Sequence, residues 1–318
     1  MLEHCPPSDS AHTPAAHIAI LLCTYQGEVY LSEQLDSIAA QSHPHWTLWV
    51  SDDGSRDGTR DILEAYQRRW GQHRIRWRQG PLRGFAANFN SLLADANIQA
   101  DAFALADQDD IWHPDKLERA VAWLGAEASE EPRLYTARTR LVDARGGFIG
   151  ISPACRAPGF ANALVQNIAS GNTMVLNAAA RQSLIEAGPP RAELHDWWCY
   201  QWISGIGGEV LFDSQPCLDY RQHGGNQIGM QTGLISLLPR VKRLWQGQHC
   251  LCLDSQLAAL EERQSWLTPI HRQLLQSLQA ARRRRGLARL YGVWQTGVYR
   301  QSRLGQWAMY MAAILNKF

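Results

Sequence analysis

The sequence predicts an α/β fold: a mostly parallel sheet with helices on both faces, followed by a helical C-terminal extension. Three observations lead there. Short apolar runs alternate with stretches of helical periodicity between residues 17 and 124. The first of these runs, His17–Cys23, is of the kind found in strands buried on both faces. Beyond residue 233 helical periodicity continues with no strand signal. Strands that alternate with helices pair in parallel through right-handed crossovers. Their C-terminal ends then share one edge, where ligands bind in open sheets.

Residues 1–16, with Pro6, Pro7, Ser8, Ser10 and Pro14, are expected to form a loose arm. His17–Cys23 (HIAILLC) is the first strand, Thr24-Tyr25-Gln26-Gly27 breaks it, and Tyr30, Leu31, Leu35 and Ile38 recur at helical spacing. Trp46–Val50 is the second strand; Ser51–Gly58 is turn-rich, and Ile62, Leu63, Tyr66 and Trp70 mark the next helix. Ile75–Trp77 is a short strand, followed by a helix from Phe85 to Ala94. Ala102–Ala106 is the fourth strand and ends in Asp107-Gln108-Asp109-Asp110, after which Pro114 opens a helix at a favoured first-turn position. From Arg133 to Gly229 the pattern is less regular: strands at Leu134–Val142, Thr173–Leu176 and Glu209–Phe212, helices at Gly159–Gln166 and His195–Ile203. The expected division is an arm over 1–16, an α/β domain over 17–232 and an Arg-rich helical region over 233–318.

Length and composition narrow the function. The 318 residues suit one large domain with an appendage, and 45% apolar against 19% charged residues allow a real core. The net charge of +1 conceals an asymmetry: residues 1–232 carry 18 Lys or Arg against 27 Asp or Glu, and residues 233–318 carry 13 against 3. An acidic body with a basic C-terminal third implies two surfaces with different partners. The cation is Arg almost throughout, Lys standing only at 116, 242 and 317; Arg grips phosphate through a planar fork and packs beside aromatic rings. Seven cysteines, with no Cys-x-x-Cys pair, argue against a zinc site or a disulfide framework and fit a reducing cytosol. Residues 1–17 lack a signal peptide's apolar stretch, and no run reaches the roughly 18 to 20 apolar residues of a bilayer span. A cytoplasmic protein that does not cross a membrane is therefore expected. No Gly-x-Gly-x-x-Gly follows the first strand, which weakens an NAD-dependent oxidoreductase reading.

The strongest chemical signal is a pair of acidic clusters, Asp52-Asp53 and Asp107-Gln108-Asp109-Asp110, each following an apolar strand. Close carboxylates raise one another's pKa unless a cation or donor compensates. A hard divalent ion, Mg²⁺ or Mn²⁺, held by one or two carboxylates plus phosphate oxygens, would do so. The alternative is structural: Asp52 and Asp53 in an Asx-turn, Asp110 or Asp115 at a helix start.

The segment 17–59, with Cys23-Thr24-Tyr25-Gln26-Gly27 and Ser51-Asp52-Asp53-Gly54-Ser55-Arg56-Asp57-Gly58-Thr59, resembles the nucleotide-binding start of the family 2 glycosyltransferases. Ala106–Trp112 (ADQDDIW) resembles their Asp-x-Asp metal motif, in a form closest to the rhamnosyltransferase-like branch. Tyr220-Arg221-Gln222-His223, followed by Asn226 and Gly229, resembles that branch's later signature, so the similarity covers about residues 17–230. The resemblance implies a GT-A-like, Rossmann-like fold with 17–232 as catalytic domain, and inverting, metal-dependent transfer from a nucleotide diphosphate sugar.

Residue by residue, the resemblance implies that Thr24 and Tyr25 line the nucleotide pocket with Glu28 nearby, and that Asp52, beside Asp53, accepts from the base's imide N–H. Arg83 and Asn88 would touch nucleotide or diphosphate, although Arg83 also reads as an exposed turn residue. Asp107 would face ribose and metal, and Asp109 would bind the metal. Asp196 in His195-Asp196-Trp197-Trp198 would be the general base; its alternative is a helix cap. The family often has Glu-Asp where this chain has His195-Asp196. Arg221, among glycines, suits a loop closing over a diphosphate, and His223 is a third metal ligand or a structural histidine. Ser170-Gly171-Asn172-Thr173-Met174 matches the acceptor side, where branch members often have Cys in place of Asn172. Trp197 and Trp198 stack on a sugar or belong to the core.

In the C-terminal third, Arg282–Arg285, Arg289, Arg300 and Arg303 mix with Leu287, Leu290, Tyr291, Trp294, Trp307, Met311 and Leu315. That is the composition of helices lying in a membrane interface, where each basic residue near an anionic leaflet contributes about 1 kcal/mol. The alternative is a helical lid with a solvated basic face. The implied partners are a dTDP- or UDP-linked sugar, with dTDP-L-rhamnose pointed to by the branch, a lipid-linked or surface glycan acceptor, and the anionic inner face of the cell membrane. Nucleic acid has no supporting motif. A non-catalytic membrane-associated scaffold with a nucleotide-sugar pocket is the second reading; binding without turnover separates it from the enzyme.

Overall fold

The computed structural model describes residues 16–125, 129–188, 194–224 and 248–318. The expected arm falls on 1–15, and Gly225, Asn226, Gly229, the 232/233 boundary and the stretch 234–247 likewise lie outside the described residues.

β1 (Ile18–Thr24), β2 (Trp46–Asp52), β3 (Ile75–Gln79) and β4 (Ala102–Ala106) are joined by α1 (Leu31–Ala39), α2 (Thr59–Trp70) and α3 (Phe85–Leu93). They pair in parallel in the order β3-β2-β1-β4. Every residue of β1 and β4 is buried because both sheet faces are covered. Ile18, Ile20 and Leu22 join Leu31, Leu35 and Leu63 in one core, and Ala19, Leu21 and Cys23 join Phe89 and Leu92 in the other. Alternation is absent from the sequence for that reason.

The second half comprises β5 (Ile111–Trp112), α4 (Lys116–Leu124), β6 (Arg133–Asp143), β7 (Phe148–Ile151), α5 (Phe160–Ala163), β8 (Val175–Asn177), α6 (Ala178–Ala187), α7 (His195–Gly205) and β9 (Glu209–Gln222). The sheet has nine strands, in the order β3-β2-β1-β4-β8-β6-β9-β5 with β7 on β6. Here the pairing is mixed: β8 runs antiparallel to β4 and β6, while β6 and β9 are parallel. The strand expected at 173–176 is β8, which begins two residues later, at Val175, after a 3₁₀ turn at Gly171–Thr173. The sequence reading missed β5, β7 and α6.

One expectation is corrected. Arg221 was read into a glycine-rich loop, but β9 continues to Gln222 and pairs Arg221 with Val142. A charged residue is stable in this strand because Arg221 meets Glu33 and the carbonyl oxygens of Asp109 and Ala144.

The C-terminal helices are α8 (Gln248–Glu262), α9 (Pro269–Arg283), α10 (Gly286–Gln295) and α11 (Arg303–Ile314). Thr268 caps α9 by accepting from His271 N, with Pro269 in the first turn, and Ser302 caps α11 by accepting from Gly305 N. Their inward residues, among them Leu257, Leu260, Leu275, Leu278, Val293 and Met309, extend the core that contains α3 and α7. Among the described residues no helix is long and apolar enough to cross a membrane.

Candidate functional site

The C-terminal ends of β1, β2 and β4 lie side by side, Thr24 against Asp52 and Leu22 against Ala106. The two acidic clusters therefore flank the loop after β1, one on each side. Three contacts fasten that loop. Gln108 accepts from Tyr25 N at 2.8 Å and donates to Tyr25 O at 3.0 Å. Ser55 Oγ accepts from Gln26 N at 2.9 Å, and Thr59 Oγ1 accepts from Gly27 N at 2.8 Å. A Cβ on Gly27 would lie 2.4 Å from Gln108 Oε1, so a larger residue there would displace the Gln108 clamp.

Within this rim, some expected donor residues face inward. Asp52 is fully buried; it accepts from Thr24 Oγ1 at 3.1 Å, Ser55 N at 3.1 Å, Ser55 Oγ at 2.5 Å and Arg60 Nε at 2.9 Å. Asp52 and the Thr24 hydroxyl bond to each other, and Asp52 also holds the 53–55 turn, as in the Asx-turn alternative for this residue. Asp53 is half-buried and accepts from Leu82 N at 2.6 Å and Gly84 N at 2.8 Å, fixing the loop after β3. Asn88 is buried and donates to Ser51 O at 2.8 Å, while its Oδ1 has no hydrogen-bond partner among the described residues. Tyr25, Glu28 and Arg83 are exposed on the rim, and Glu28 Oε2 accepts from Gly58 N at 2.7 Å.

The second cluster is where charge concentrates. Asp107 is pushed up to about 7, first by burial, then by the charges of Asp109 and Asp196, against an opposing Lys116. Asp196, 89 residues away along the chain, thus acts on Asp107. It sits in the first turn of α7, half-buried, accepting from Trp197 N at 2.7 Å. A Cβ on Gly171 would lie 3.3 Å from Asp196 Cβ, so the 171–173 turn is pressed against it. His223 Nε2 donates to Asp109 Oδ2 at 2.8 Å, and Tyr30 supports both His223 (ring centroids 4.9 Å apart) and Arg221 (4.6 Å above the ring).

Two further residues point into the interior. Asn172 is buried, donates to Asp110 Oδ2 at 2.6 Å and accepts from Ser170 Oγ at 2.7 Å. Its carbonyl accepts from Lys116 Nζ at 2.6 Å, and the buried Lys116 lies 3.3 Å over the Trp112 ring. Trp197 is core, its indole N–H donating to Ala163 O at 2.7 Å, and Trp198 stacks on Trp202. Large aromatic surfaces on a helix buried on all sides belong to packing.

The residues present fit a divalent cation. Among the described residues no group of three His, Cys, Asp or Glu is preassembled around one point. Asp109 and His223 nevertheless meet at hydrogen-bonding distance, partly exposed, beside a carboxylate that burial and charge hold protonation-prone. Mg²⁺-type sites on nucleotides use one or two protein ligands and take the rest from phosphate and water. The sequence reading missed Gln108 as the clamp on Tyr25, Tyr30 as the support of Arg221 and His223, and Glu33 as Arg221's partner. Tyr30 and Glu33 look like ordinary first-turn helix residues in sequence; only their pairing across nearly 190 positions marks them.

A model of glycosyl transferase family 2 matches residues 19–129. The dTDP-rhamnosyl transferase RfbG of Shigella flexneri is 29% identical over 238 residues, covering 70% of this chain and 78% of that protein. In fold the chain is similar to S. aureus TarS 1-349 in complex with UDP-GlcNAc, with a TM-score of 0.54 and 17% identity over 91% of this chain and 92% of that one. It is also similar to the mannosyltransferase PcManGT from Pyrobaculum calidifontis in complex with GDP-Man and Mn²⁺, with a TM-score of 0.51 and 16% identity over 95% of this chain and 86% of that one.

Proposed function

We propose that this chain is a glycosyl transferase of family 2 that moves L-rhamnose from a dTDP-linked donor to a lipid-linked surface glycan, with inversion and with a divalent metal; the family model and the similarity to a dTDP-rhamnosyl transferase support this reading. Residues 17–232 form the catalytic domain in this reading. The donor sugar is supported by the similarity to the Shigella flexneri dTDP-rhamnosyl transferase. The reaction class is supported by one observation: the Gly171–Thr173 turn lies against Asp196 and bonds Asp110 through Asn172 at 2.6 Å, so the start of α7 stands beside the Asp107–Asp110 cluster.

Asp196 accepts the proton of the acceptor hydroxyl as that oxygen attacks the anomeric carbon. A single displacement from the face opposite the diphosphate inverts the carbon. A divalent cation held by Asp109 and His223 would offset the charge on the departing diphosphate. Tyr25, Arg83 and the backbone of the loop after β1 contact the donor; Asp52, Asp53 and Gln108 keep that loop in place. Arg221, already paired with Glu33, supports the Asp109 backbone.

The test is a panel of nucleotide sugars assayed for release of UDP or dTDP with Mg²⁺, Mn²⁺ or chelator. Metal-stimulated release from dTDP-rhamnose is expected. Asp196→Asn is expected to lower kcat about a thousandfold while donor binding persists. Full transfer by that variant removes Asp196 as the base, and preference for another nucleotide sugar overturns the rhamnose assignment.

A further inference from the structure

The described C-terminal helices are apolar on two sides. On α10, Gly292 and Val293 are buried, while Leu287, Tyr291 and Trp294 are 73%, 55% and 60% exposed. On α11, Met309 and Ala313 are buried, while Leu304, Trp307, Met311 and Leu315 are 69%, 68%, 51% and 56% exposed. The spacings 287-291-294 and 304-307-311-315 each trace one stripe along a helix, opposite its buried residues. α10 and α11 pack against each other, so two such stripes stand on neighbouring helices. A helix that merely faces water carries polar residues on that side.

Charge identifies the occupant. Residues 263–318 contain ten Lys or Arg and no Asp or Glu, and Arg283, Arg284, Arg285, Arg303 and Lys317 are exposed around the stripes. We infer that the α10–α11 face is a membrane-docking surface for an anionic phospholipid bilayer. Leu, Met and Trp enter the acyl boundary, and the arginines meet headgroup phosphates. An acidic protein or a nucleic acid would satisfy the arginines but leave Leu304, Met311 and Leu315 in water. No described helix can span, so the face lies on the surface instead of crossing it.

The docking face is tied to the segment that leads to the Asp196 site. Between α10 and α11, Tyr299 O accepts from Asn162 Nδ2 at 2.9 Å and Gln301 N donates to Gln166 Oε1 at 2.8 Å. Arg300 Nη1 donates to Val165 O at 3.0 Å. Those partners lead into the Gly171–Thr173 turn that presses on Asp196. Docking would therefore fix the orientation of the site relative to a bilayer. Vesicle binding by this face depends on neither the donor sugar nor the reaction.

The experiment is flotation of the full chain with phosphatidylcholine vesicles, with and without phosphatidylglycerol. Binding to the anionic vesicles, weakened by high salt, is expected. The double variant Trp294→Ser/Trp307→Ser should bind about tenfold or more weakly, with unchanged circular dichroism and melting because both side chains are exposed. Equal binding to neutral vesicles, no binding, or unchanged binding by the variant overturns the inference. So does a dimer that the same two substitutions dissociate, which would assign the face to a second copy of the chain.

Discussion

At the sheet edge, Asp52 is buried among Thr24, Ser55 and Arg60, and Asp110 is buried against Asn172. In the C-terminal helices, Arg283, Arg284, Arg285 and Arg303 stand exposed beside exposed Trp and Leu. The first region is acidic and internally bonded; the second is basic and turned outward. A buried charge needs a partner inside the molecule, so its surroundings are fixed before any ligand arrives. An exposed charge beside exposed apolar surface leaves its partner outside. The difference separates a rigid site that shapes a small ligand from a surface that meets an extended one.

Four substitutions or conditions probe this contrast, taken from the largest expected effect. Lys116→Met removes the buried ammonium that bonds Asn172 O and faces Asp110, whose carboxyl burial and its neighbours Asp109 and Asp107 already push up. Thermal or urea unfolding should show a loss of about 3 kcal/mol; a gain in stability would mean that burying the lysine costs more than its partners return. Acid should act on the second half of the sheet. Burial tends to raise Asp219, but hydrogen bonds from His113 and Arg140 outweigh it and hold the carboxyl down to about 2. A depressed carboxylate contributes stability that is full above its unfolded value near 4 and lost as pH falls toward about 2. His113→Ala should flatten that limb in acid-unfolding curves.

Gln108→Ala removes both bonds to the Tyr25 backbone. A loss of about 1 kcal/mol is expected, with a several-fold rise in donor KM and little change in kcat. Unchanged KM would detach the loop after β1 from the donor. Leu304→Ser on α11, 69% exposed, should move stability by less than about 0.5 kcal/mol. A larger loss would show that this stripe is already covered by protein.

The strand–helix cycle of the first half was legible because β1 and β4 are buried on both faces and so read as nearly unbroken apolar runs. The later part of β9 was not. Asp213, Asp219 and Arg221 give it the look of a loop, and their neutralisation by Arg119, Arg140 and Glu33 depends on partners 79 to 188 positions away in the two cases of Asp219 and Arg221. α6 hid behind a low-contrast Ala-rich segment whose start is set by the Asn177 side chain accepting from Ala180 N. At the site, the positions of Asp107, Asp109, Asp196 and His223 could be picked from motifs. Which way Asp52, Asn172 and Trp197 face could not, since each has a plausible role on either side of the wall.

The chain by itself determined the α/β order of its first half, the family likeness of its acidic turns, and the basic, aromatic character of its last third. These follow from local periodicity and composition, which act within a few residues. Only the tertiary structure decided that Asp52 and Asn172 spend their hydrogen bonds inside and that His223 returns to Asp109. It also decided that α10 and α11 turn a second apolar stripe to the outside. Those outcomes depend on burial and on partners distant in sequence, and a side chain's solvation is settled only when the whole sheet closes around it.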